Sequence, residues 1–400
     1  MIPYGKHYLD DDDIQSVINV LKDGFLTQGP KVAEFEEVLA NMVGAKYAVA
    51  VSSGTAALHI ACLAADIGKD SVVYTSANTF VASANCVLYV GGKPAFCDID
   101  ERTLNMSPEY LSEHALQNGG MDSVIPVHFG GTPCDMKAIK AVADKYDAIV
   151  IEDASHAFGA RYTNGDSVGS CIHSDMTVFS LHPVKGVTAG EGGVITTNDI
   201  ALYKRLLKLR SHGICKGNFD LPGISVGDGS LVYQDEAFDE GILNPWYYEM
   251  QELGFNYRIT DFQCALALSQ LSKVDKFLER RKEIASIYDQ LLTDLPNVTL
   301  TQVKSRDISS LHLYVLRINF DAIGKTRGQV MRELFDFDIG SQVHYIPVPF
   351  HPYYADKGYK FSNYPETEKY YRQALTIPLY YGLSDESVND VVKALRKVLY

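Results

Sequence analysis

The chain has 400 residues, of which 46% are hydrophobic and 11% aromatic, so it can bury a large core and is long enough for two or three domains. Its formal net charge of -14 argues against a nucleic-acid-binding protein, because such proteins need a basic surface to displace counterions from phosphates. The 7 cysteines are scattered, odd in number and without a CxxC pair, which predicts neither a disulfide framework nor a metal site.

The sequence also carries no pattern typical of export or membrane insertion. Residues 1–7 lack an apolar segment after their basic residues, and no uncharged apolar run reaches membrane-spanning length. We therefore expect a cytoplasmic protein that does not bind membranes.

Helices and strands alternate through the first half of the chain. Apolar residues keep helical spacing up to Gly24 and again over residues 30–44, which predicts two amphipathic helices ahead of the first strand, Tyr47–Val51. Further strands are predicted near residues 72–75, 94–97, 124–128 and 148–152. This rhythm predicts a largely parallel sheet with helices on both faces.

The pattern changes after Arg210. Residues 211–253 are rich in glycine, aspartate and proline and contain three adjacent aromatic residues at 246–248, which predicts a long functional loop. A helical stretch over residues 260–295 follows, with apolar residues facing one side.

We expect this helical stretch to join a large domain, residues 1–260, to a smaller α+β domain, residues 261–400. In the smaller domain the sequence predicts strands near residues 313–318 and 342–345 and a last helix, Asp385–Leu399.

Lys185 is the residue around which the chemistry is predicted. Residues 177–185, TVFSLHPVK, place an apolar strand and a proline-stiffened turn before it, and the glycines of GEGG at 190–193 allow close approach of another group. Removal from water and nearby positive charge lower the pKa of a lysine, and the free amine can then form an imine. A solvated loop lysine is the alternative that this motif alone leaves open.

The segment SSGTAAL at residues 52–58 predicts an anion site. It is a glycine turn between a strand and a helix, where free backbone N–H groups and the helix dipole attract phosphate. By itself it also fits a simple helix N-cap. The chain has no GxxxxGK[ST] loop and no dinucleotide GxGxxG after a strand, so the usual signatures of nucleotide hydrolysis and nicotinamide chemistry are missing.

Residues 149–157, IVIEDASHA, form an apolar strand that ends in two carboxylates, Glu152 and Asp153, with His156 close behind. Open α/β sheets bind ligands at this carboxyl edge. An acid there can hold a metal, a ribose or a protonated ring nitrogen, whereas the alternative is a helix N-cap by Asp153 or Ser155.

Two further motifs suggest ligand contacts. Phe80 follows a predicted strand end, where an aromatic ring is either part of the core or a stacking platform for a planar cofactor. Residues 254–263, GFNYRITDFQ, hold more polar groups than a helix cap requires, so some of them should reach a ligand or a second subunit.

Together these motifs resemble the DegT/DnrJ/StrS nucleotide-sugar aminotransferases, which are pyridoxal-phosphate enzymes. The resemblance covers nearly the whole chain, with matching segments LTQGP at 26–30, SSGTAALH at 52–59, FSLHPVK at 179–185, RSHG at 210–213 and ELGFNYRITDFQCALALSQL at 252–271. It implies an α/β protein of PLP-dependent transferase fold type I, similar to aspartate aminotransferase. Such a protein has a large domain with a mostly parallel seven-stranded sheet and a smaller α+β C-terminal domain.

The resemblance implies pyridoxal 5'-phosphate as cofactor and assigns residues to its ring. Lys185 would bind the cofactor aldehyde covalently and later move a proton between cofactor and substrate. Asp153 would keep the pyridine nitrogen protonated. Phe80 would stack on the ring, and His156 would hydrogen-bond the ring hydroxyl, a position where many relatives have glutamine.

The cofactor phosphate is expected at the glycine turn. The backbone amides of Gly54, Thr55 and Ala56 and the hydroxyls of Thr55 and Ser180 would bind it, with Asn256 reaching in from a second chain. The resemblance therefore implies a homodimer with shared active sites.

The implied substrates are L-glutamate and a nucleotide sugar. The resemblance, with His156 and the QVHYIP run at 342–347, points to a UDP-linked 4-keto-6-deoxy-N-acetylhexosamine aminated at C4, as in pseudaminic acid biosynthesis. Tyr314, His344 and Tyr345 are the candidates for contact with the sugar.

Three alternatives stay open at this point. They are an aminotransferase acting at C3 or on a dTDP sugar, a pyridoxal-dependent sugar dehydratase, and a regulator of the same fold without turnover. The dehydratases have histidine in place of the reactive lysine, so Lys185 speaks against them. Lys185 together with Asp153 also speaks against a regulator.

Overall fold

The computed structural model describes residues 1–216, 234–240 and 242–400. Part of the predicted loop at 211–253 lies outside these ranges. None of the helices within them combines the length and apolar content that crossing a bilayer requires.

The N-terminal unit is built on a seven-stranded sheet. Its strands are β1 (Tyr47–Val51), β2 (Val72–Ser76), β3 (Lys93–Cys97), β4 (Ser123–Ile125), β5 (Ile149–Asp153), β6 (Met176–Ser180) and β7 (Gly193–Thr197). They lie in the order β1-β7-β6-β5-β4-β2-β3. Only the pairs of β7 with β1 and β6 are antiparallel. The predicted mostly parallel seven-stranded sheet and fold type I are confirmed.

Helices cover both faces of this sheet because its strands are apolar on both sides. The helices are α1 (Asp11–Asp23), α2 (Pro30–Val43), α3 (Gly54–Ala64), α4 (Ala82–Tyr89), α5 (Pro108–Gln117), α6 (Met136–Ala143) and α7 (Ile200–Arg210). Phe179 of β6 packs in the core cluster that contains α2, α5 and α6, whereas its neighbour Val178 packs in the cluster that contains α3, α4 and α7. This alternation follows from the two-residue period of a strand.

Residues 211–253 contain short elements rather than an uninterrupted loop. The described part includes β8 (Ile214–Cys215), α8 (Gln234–Ala237), β9 (Phe238–Asp239), β10 (Ile242–Leu243) and β11 (Glu249–Met250). Strand β8 pairs with β11, and β9 pairs with β10. The side chains of Trp246 and Tyr248 are exposed.

The C-terminal unit is α+β. After α9 (Asp261–Leu271), its elements are α10 (Val274–Leu292), β12 (Val298–Leu300), β13 (Tyr314–Ile318), α11 (Arg327–Asp336), α12 (Pro352–Ala355), α13 (Pro365–Gln373), β14 (Ala374–Ile377) and α14 (Asp385–Leu399). The three strands form an antiparallel sheet in the order β12-β13-β14. The last helix has the predicted bounds.

Two predicted elements differ from the structure. The helical stretch predicted over 260–295 is two helices, because the Lys273 N–H bonds the Gln270 carbonyl, three residues back, at 3.0 Å and so leaves the α-helical pattern. The Lys273 side chain pairs with Asp10 and Asp13 at this break. The strand predicted near residues 342–345 is absent; only Gln342 forms a bridge, to Thr376. The Val343 N–H donates to the Gln342 side chain at 2.8 Å and the Tyr345 N–H to the Asn78 side chain at 3.4 Å, so neither joins a strand ladder.

The two hydrophobic cores indicate where the N-terminal unit ends and the C-terminal unit begins. Cys264, Ala267 and Leu271 of α9 pack in the core of the large sheet, whereas Ile284 and Tyr288 of α10 pack in the C-terminal core. The division of the chain at residues 260 and 261 stays a prediction, and the packing favours a boundary within α10.

Candidate active site

A cavity of about 430 Å³ lies at the carboxyl ends of β5 and β6 and is bordered on the other side by the C-terminal unit. Most of the predicted site residues line it: Gly54, Thr55, Phe80, Asp153, His156, Ser180, Lys185, His344 and Tyr345. The carboxyl ends of neighbouring parallel strands meet at one edge of a sheet, so residues distant in sequence converge there.

Lys185 has the electrostatic environment of a reactive amine. The turn after β6 is fixed by a hydrogen bond from the Lys185 N–H to the His182 carbonyl at 2.9 Å. Burial lowers the pKa of Lys185 to about 8, although the charge of Asp153 acts in the opposite direction. About a tenth of a lysine with this pKa is neutral at pH 7, against well under about 0.1% of an ordinary lysine.

Asp153 is held in one orientation. It is the last residue of β5 and only 5% exposed. One carboxylate oxygen accepts a hydrogen bond from the Ser83 hydroxyl at 2.7 Å, and the other accepts from the Ser155 N–H at 3.1 Å. Since the Ser83 hydroxyl also lies 2.8 Å from that of Thr79, the carboxylate is fixed from α4 and can meet a cation in the cavity.

Glu152, the neighbour of Asp153, has a different role. It is fully buried, and its carboxylate accepts hydrogen bonds from His128 Nε2 at 2.7 Å and the Tyr162 hydroxyl at 2.6 Å, with Ser174 and Thr177 also donating. Burial alone would raise the pKa of Glu152, but the charge and hydrogen bond of His128 and the hydroxyl donors outweigh it and lower the pKa. Glu152 thus anchors the strand end that presents Asp153.

The start of α3 forms an anion site beside β6 and β7. A Cβ on Gly54 would lie 3.0 Å from Ser180 Cβ, and one on Gly193 would lie 2.4 Å from the Ser53 carbonyl oxygen. Both glycines therefore permit the close packing that brings the Ser180 hydroxyl to the helix N-terminus. The first N–H groups of a helix have no acceptor inside it and attract anions.

The predicted contribution of Ala56 differs from the structure. Its N–H donates to the Ser53 hydroxyl at 3.1 Å, and Ala56 does not line the cavity. Capping by Ser53 therefore uses the amide that was expected to bind phosphate.

Phe80 is positioned as a platform. Its side chain is 55% exposed although it lies at the wall of the cavity, and its ring centroid is 5.9 Å from that of Tyr345. An aromatic face left open to a cavity suits a planar ligand better than it suits a core position.

His156 donates a hydrogen bond to Tyr345. The Gly130 N–H donates to His156 Nδ1 at 3.3 Å, so the proton of the neutral ring is on Nε2, which lies 2.9 Å from the Tyr345 hydroxyl oxygen. Burial, with the charge of Lys185, lowers the pKa of His156 well below its usual value, so the ring is neutral. The Tyr345 hydroxyl hydrogen is then directed elsewhere.

Two other predicted residues lie away from the cavity. Tyr314 is fully buried in the C-terminal core, where its hydroxyl donates to Asp289 at 2.6 Å, and this placement contradicts a contact with the sugar. Asn256 is exposed and does not line the cavity of its own chain. Its contribution to a partner's site stays a prediction.

Residues that the sequence analysis did not assign also line the cavity, among them Tyr4, Ser53 and His312. Ser53 was detectable, since it stands one position before the glycine of a predicted helix start. Tyr4 and His312 carry no local signal, because each reaches the site through packing of a remote segment.

Three comparisons with known proteins agree with this geometry. Residues 7–396 match the sequence profile of the DegT/DnrJ/EryC1/StrS aminotransferase family. The chain is 38% identical over 400 residues to spore coat polysaccharide biosynthesis protein SpsC of Bacillus subtilis, covering 100% of this chain and 97% of that protein. It is 34% identical over 409 residues to UDP-4-amino-4,6-dideoxy-N-acetyl-beta-L-altrosamine transaminase of Campylobacter jejuni, covering 100% and 98%.

A solved structure gives the same result. PseC of Helicobacter pylori, an aminotransferase involved in the biosynthesis of pseudoaminic acid, superposes with a TM-score of 0.86 at 28% identity. The alignment covers 100% of this chain and 99% of that one. The likeness therefore extends over both units and the cavity between them.

Proposed function

Because the chain belongs to the DegT/DnrJ/EryC1/StrS aminotransferase family, we propose that it transfers the amino group of L-glutamate to C4 of a UDP-linked 4-keto-6-deoxy-N-acetylhexosamine. Sugar aminotransferase activity and dependence on pyridoxal 5'-phosphate follow from the membership. The observation that carries the proposal is the cavity in which Lys185, with its lowered pKa, and the fixed carboxylate of Asp153 meet.

The residues present fit the cofactor. The open ring of Phe80 suits a planar heterocycle, Asp153 suits a protonated ring nitrogen, and the start of α3 with Ser180 suits a phosphate. Pyridoxal phosphate, when bound, supplies an aldehyde that exchanges amino groups and a ring that withdraws electrons from the reacting carbon.

Lys185 and Asp153 divide the work of proton transfer and charge stabilisation. A lysine with a pKa of about 8 can both accept and donate a proton near neutral pH, as a general acid and base must. The carboxylate of Asp153 is already oriented by Ser83 and the Ser155 N–H, so it would hold a protonated ring nitrogen without rearrangement.

The rest of the cavity wall is available for the substrates. His344 and Tyr345 come from the C-terminal unit, and we assign them to the side that faces the sugar. The ring of His344 is held by the Thr376 hydroxyl at 2.9 Å, and burial with the charge of Lys185 lowers the pKa of His344 to about 3. A neutral His344 suits the uncharged groups of a sugar.

The choice of sugar rests on the relatives. The Campylobacter jejuni protein is a transaminase of a UDP-linked altrosamine, and the Helicobacter pylori protein acts in pseudoaminic acid biosynthesis. Both resemblances extend over the whole chain, which supports C4 amination of the corresponding UDP-4-keto sugar.

We also propose a homodimer in which Asn256 completes the phosphate site of the partner. Asn256 is exposed and does not line the cavity of its own chain, so it is free to contact another chain. This arrangement would make each site depend on both chains.

The substrate proposal is tested with purified protein, pyridoxal phosphate, glutamate and separate UDP-, dTDP- and GDP-linked 4-keto sugars. We expect 2-oxoglutarate release with the UDP-linked 4-keto-6-deoxy-N-acetylhexosamine and an amine at C4 by mass spectrometry and NMR. Preference for a dTDP sugar, or amination at C3, would contradict the assigned sugar while leaving the aminotransferase activity in place.

A further inference from the structure

His312 is a buried imidazole in the cavity wall without a hydrogen-bond partner among the described residues. The residue is 7% exposed and lines the cavity together with Lys185 and Tyr345. Its Nδ1 is enclosed and accepts or donates no hydrogen bond to any described group. Buried polar side chains are normally paired, so an imidazole without a partner at a cavity wall points to a ligand contact. Because Nδ1 is enclosed by protein, that contact falls to Nε2.

The backbone around His312 is rigidly attached to the large sheet. The His312 N–H donates to the Gly130 carbonyl at 2.9 Å, and the Ser310 N–H donates to the Gly131 carbonyl at 3.0 Å. The Ser310 hydroxyl donates to the His156 carbonyl at 2.7 Å. These bonds hold His312 in place at the boundary of the two units.

The ring of His312 is also held by its neighbours. Its centroid lies 4.4 Å from that of His156, at an interplanar angle of 41°. Since His156 is itself fixed by Gly130 and Tyr345, the two rings form one rigid wall. His312 is thus placed before any ligand arrives.

The charge state of His312 determines which substrate groups its ring can hydrogen-bond. Burial, with the charges of Lys185 and Arg281 nearby, lowers the pKa of His312 well below its usual value. A neutral imidazole offers one donor and one acceptor. With Nδ1 enclosed, Nε2 presents one of these two to the cavity, and a hydroxyl or acetamido group of a sugar can pair with either. The two carboxylates of glutamate are better held by cations.

We propose that His312 determines specificity for the sugar by hydrogen-bonding a neutral hydroxyl or acetamido substituent, and that it takes no part in binding glutamate. This inference rests on the proposed function, because it assumes that one cavity admits both substrates. His312 is a binding residue here and does not transfer a proton.

The two half-reactions of an aminotransferase separate these roles. His312→Phe keeps a planar ring against His156 but removes both nitrogens, whereas His312→Gln keeps a donor and an acceptor. In the holoenzyme, the glutamate half-reaction is measured from the absorbance change of the cofactor and from 2-oxoglutarate release. The sugar half-reaction is measured from the amount of amine formed. Calorimetry measures binding of the aminated nucleotide-sugar product.

We expect His312→Phe to raise the KM for the keto sugar, and to weaken product binding, by about tenfold or more, because the sugar group is left unpaired. Its glutamate half-reaction should stay within about twofold of the wild type, since no contact to glutamate is removed. His312→Gln should recover part of the sugar affinity. His114→Gln, on α5 and outside the cavity, is the matched control and should change neither half-reaction.

Equal loss in both half-reactions, or no loss in the sugar half-reaction, would overturn the role of His312. If His312→Phe does not fold, His312→Leu replaces it, because it also removes both ring nitrogens and is judged by the same two outcomes. If the wild type aminates a different nucleotide sugar, the assigned substrate is wrong. The same comparison on that sugar then still tests His312.

Discussion

The reactivity of Lys185 comes from its surroundings and not from the residue itself. Burial removes water from the ammonium group, whereas the carboxylate of Asp153 favours it, and the two effects leave the pKa at about 8. The same carboxylate is held by Ser83 and is therefore available to a ring cation. Lys185 thus supplies the reactive amine, and Asp153 supplies the negative charge that stabilises a ring cation.

The pH dependence of Lys185 is the first prediction. In the cofactor-free protein, acylation of Lys185 should rise with pH through about 8 and then level off, because only the neutral amine is nucleophilic. An ordinary lysine has its midpoint near about pH 10.4. Mass spectrometry of the peptide that contains Lys185, after brief labelling across this pH range, measures the midpoint.

Asp153→Asn serves as the paired variant in that measurement. The carboxylate raises the pKa of Lys185, so its removal should move the labelling midpoint to lower pH. A wild-type midpoint near that of free lysine would contradict the effect of burial on Lys185. An unchanged midpoint in the variant would contradict the interaction of Lys185 with Asp153.

At the level of elements, the anion site depends on how closely β7 lies under the turn before α3. Gly193 is the first residue of β7 and pairs with Val51 of β1 on one side and with Ser180 of β6 on the other. A Cβ there would lie 2.4 Å from the Ser53 carbonyl oxygen and 2.7 Å from the Gly54 nitrogen, both of which are backbone atoms. The turn could make room only by moving.

We therefore predict that Gly193→Ala weakens pyridoxal phosphate binding and destabilises the protein. Overpacking of this kind costs about 1–3 kcal/mol, and the displaced turn should lower cofactor affinity by about tenfold. Absorbance titration gives the affinity, and urea unfolding gives the stability. Gly382→Ala is the control, since nothing lies within 4 Å of a Cβ at that position; equal behaviour of the two variants would contradict the packing argument.

At the scale of the whole molecule, the proposed sharing of a site between two chains requires an interface between them. Large apolar side chains are exposed on the single chain, including Phe25, Met42 and Leu253. Phe25 and Met42 line a second, mainly apolar cavity between α1, α2 and α9, of about 800 Å³. Exposed apolar surface of this kind is typical of an interface, which supports the proposed homodimer.

Complementation tests the sharing of sites. Lys185→Ala and Asn256→Ala homodimers should each be nearly inactive, whereas a mixed dimer regains one site with both residues intact. After mixing and separation of tagged heterodimers, about half of the wild-type activity per dimer is expected if the two sites are independent. Activity of a monomer at low concentration, or no recovery in the heterodimer, would show that Asn256 does not act across the interface.

Local patterns in the sequence were sufficient for much of the fold and for the large-domain side of the cavity. Helix caps, strand composition and glycine turns act over a few residues, so α2, β1 and α14 were predictable. Asp153 ends β5 and Lys185 lies in the turn after β6. The carboxyl ends of neighbouring parallel strands lie at the same edge of the sheet, so the two residues are close together. The resemblance to the family added the roles of these residues.

Only the tertiary structure decided which C-terminal residues reach the cavity. Tyr314 and His312 are two positions apart, yet Tyr314 points into the core beside Asp289 whereas His312 lines the cavity. Gly131 allows this docking, because a Cβ there would lie 2.3 Å from the Ser310 hydroxyl oxygen. Ser310 and His156, which are 154 positions apart, meet through that turn. Such contacts depend on how two units pack, and no pattern within a few residues of sequence encodes them.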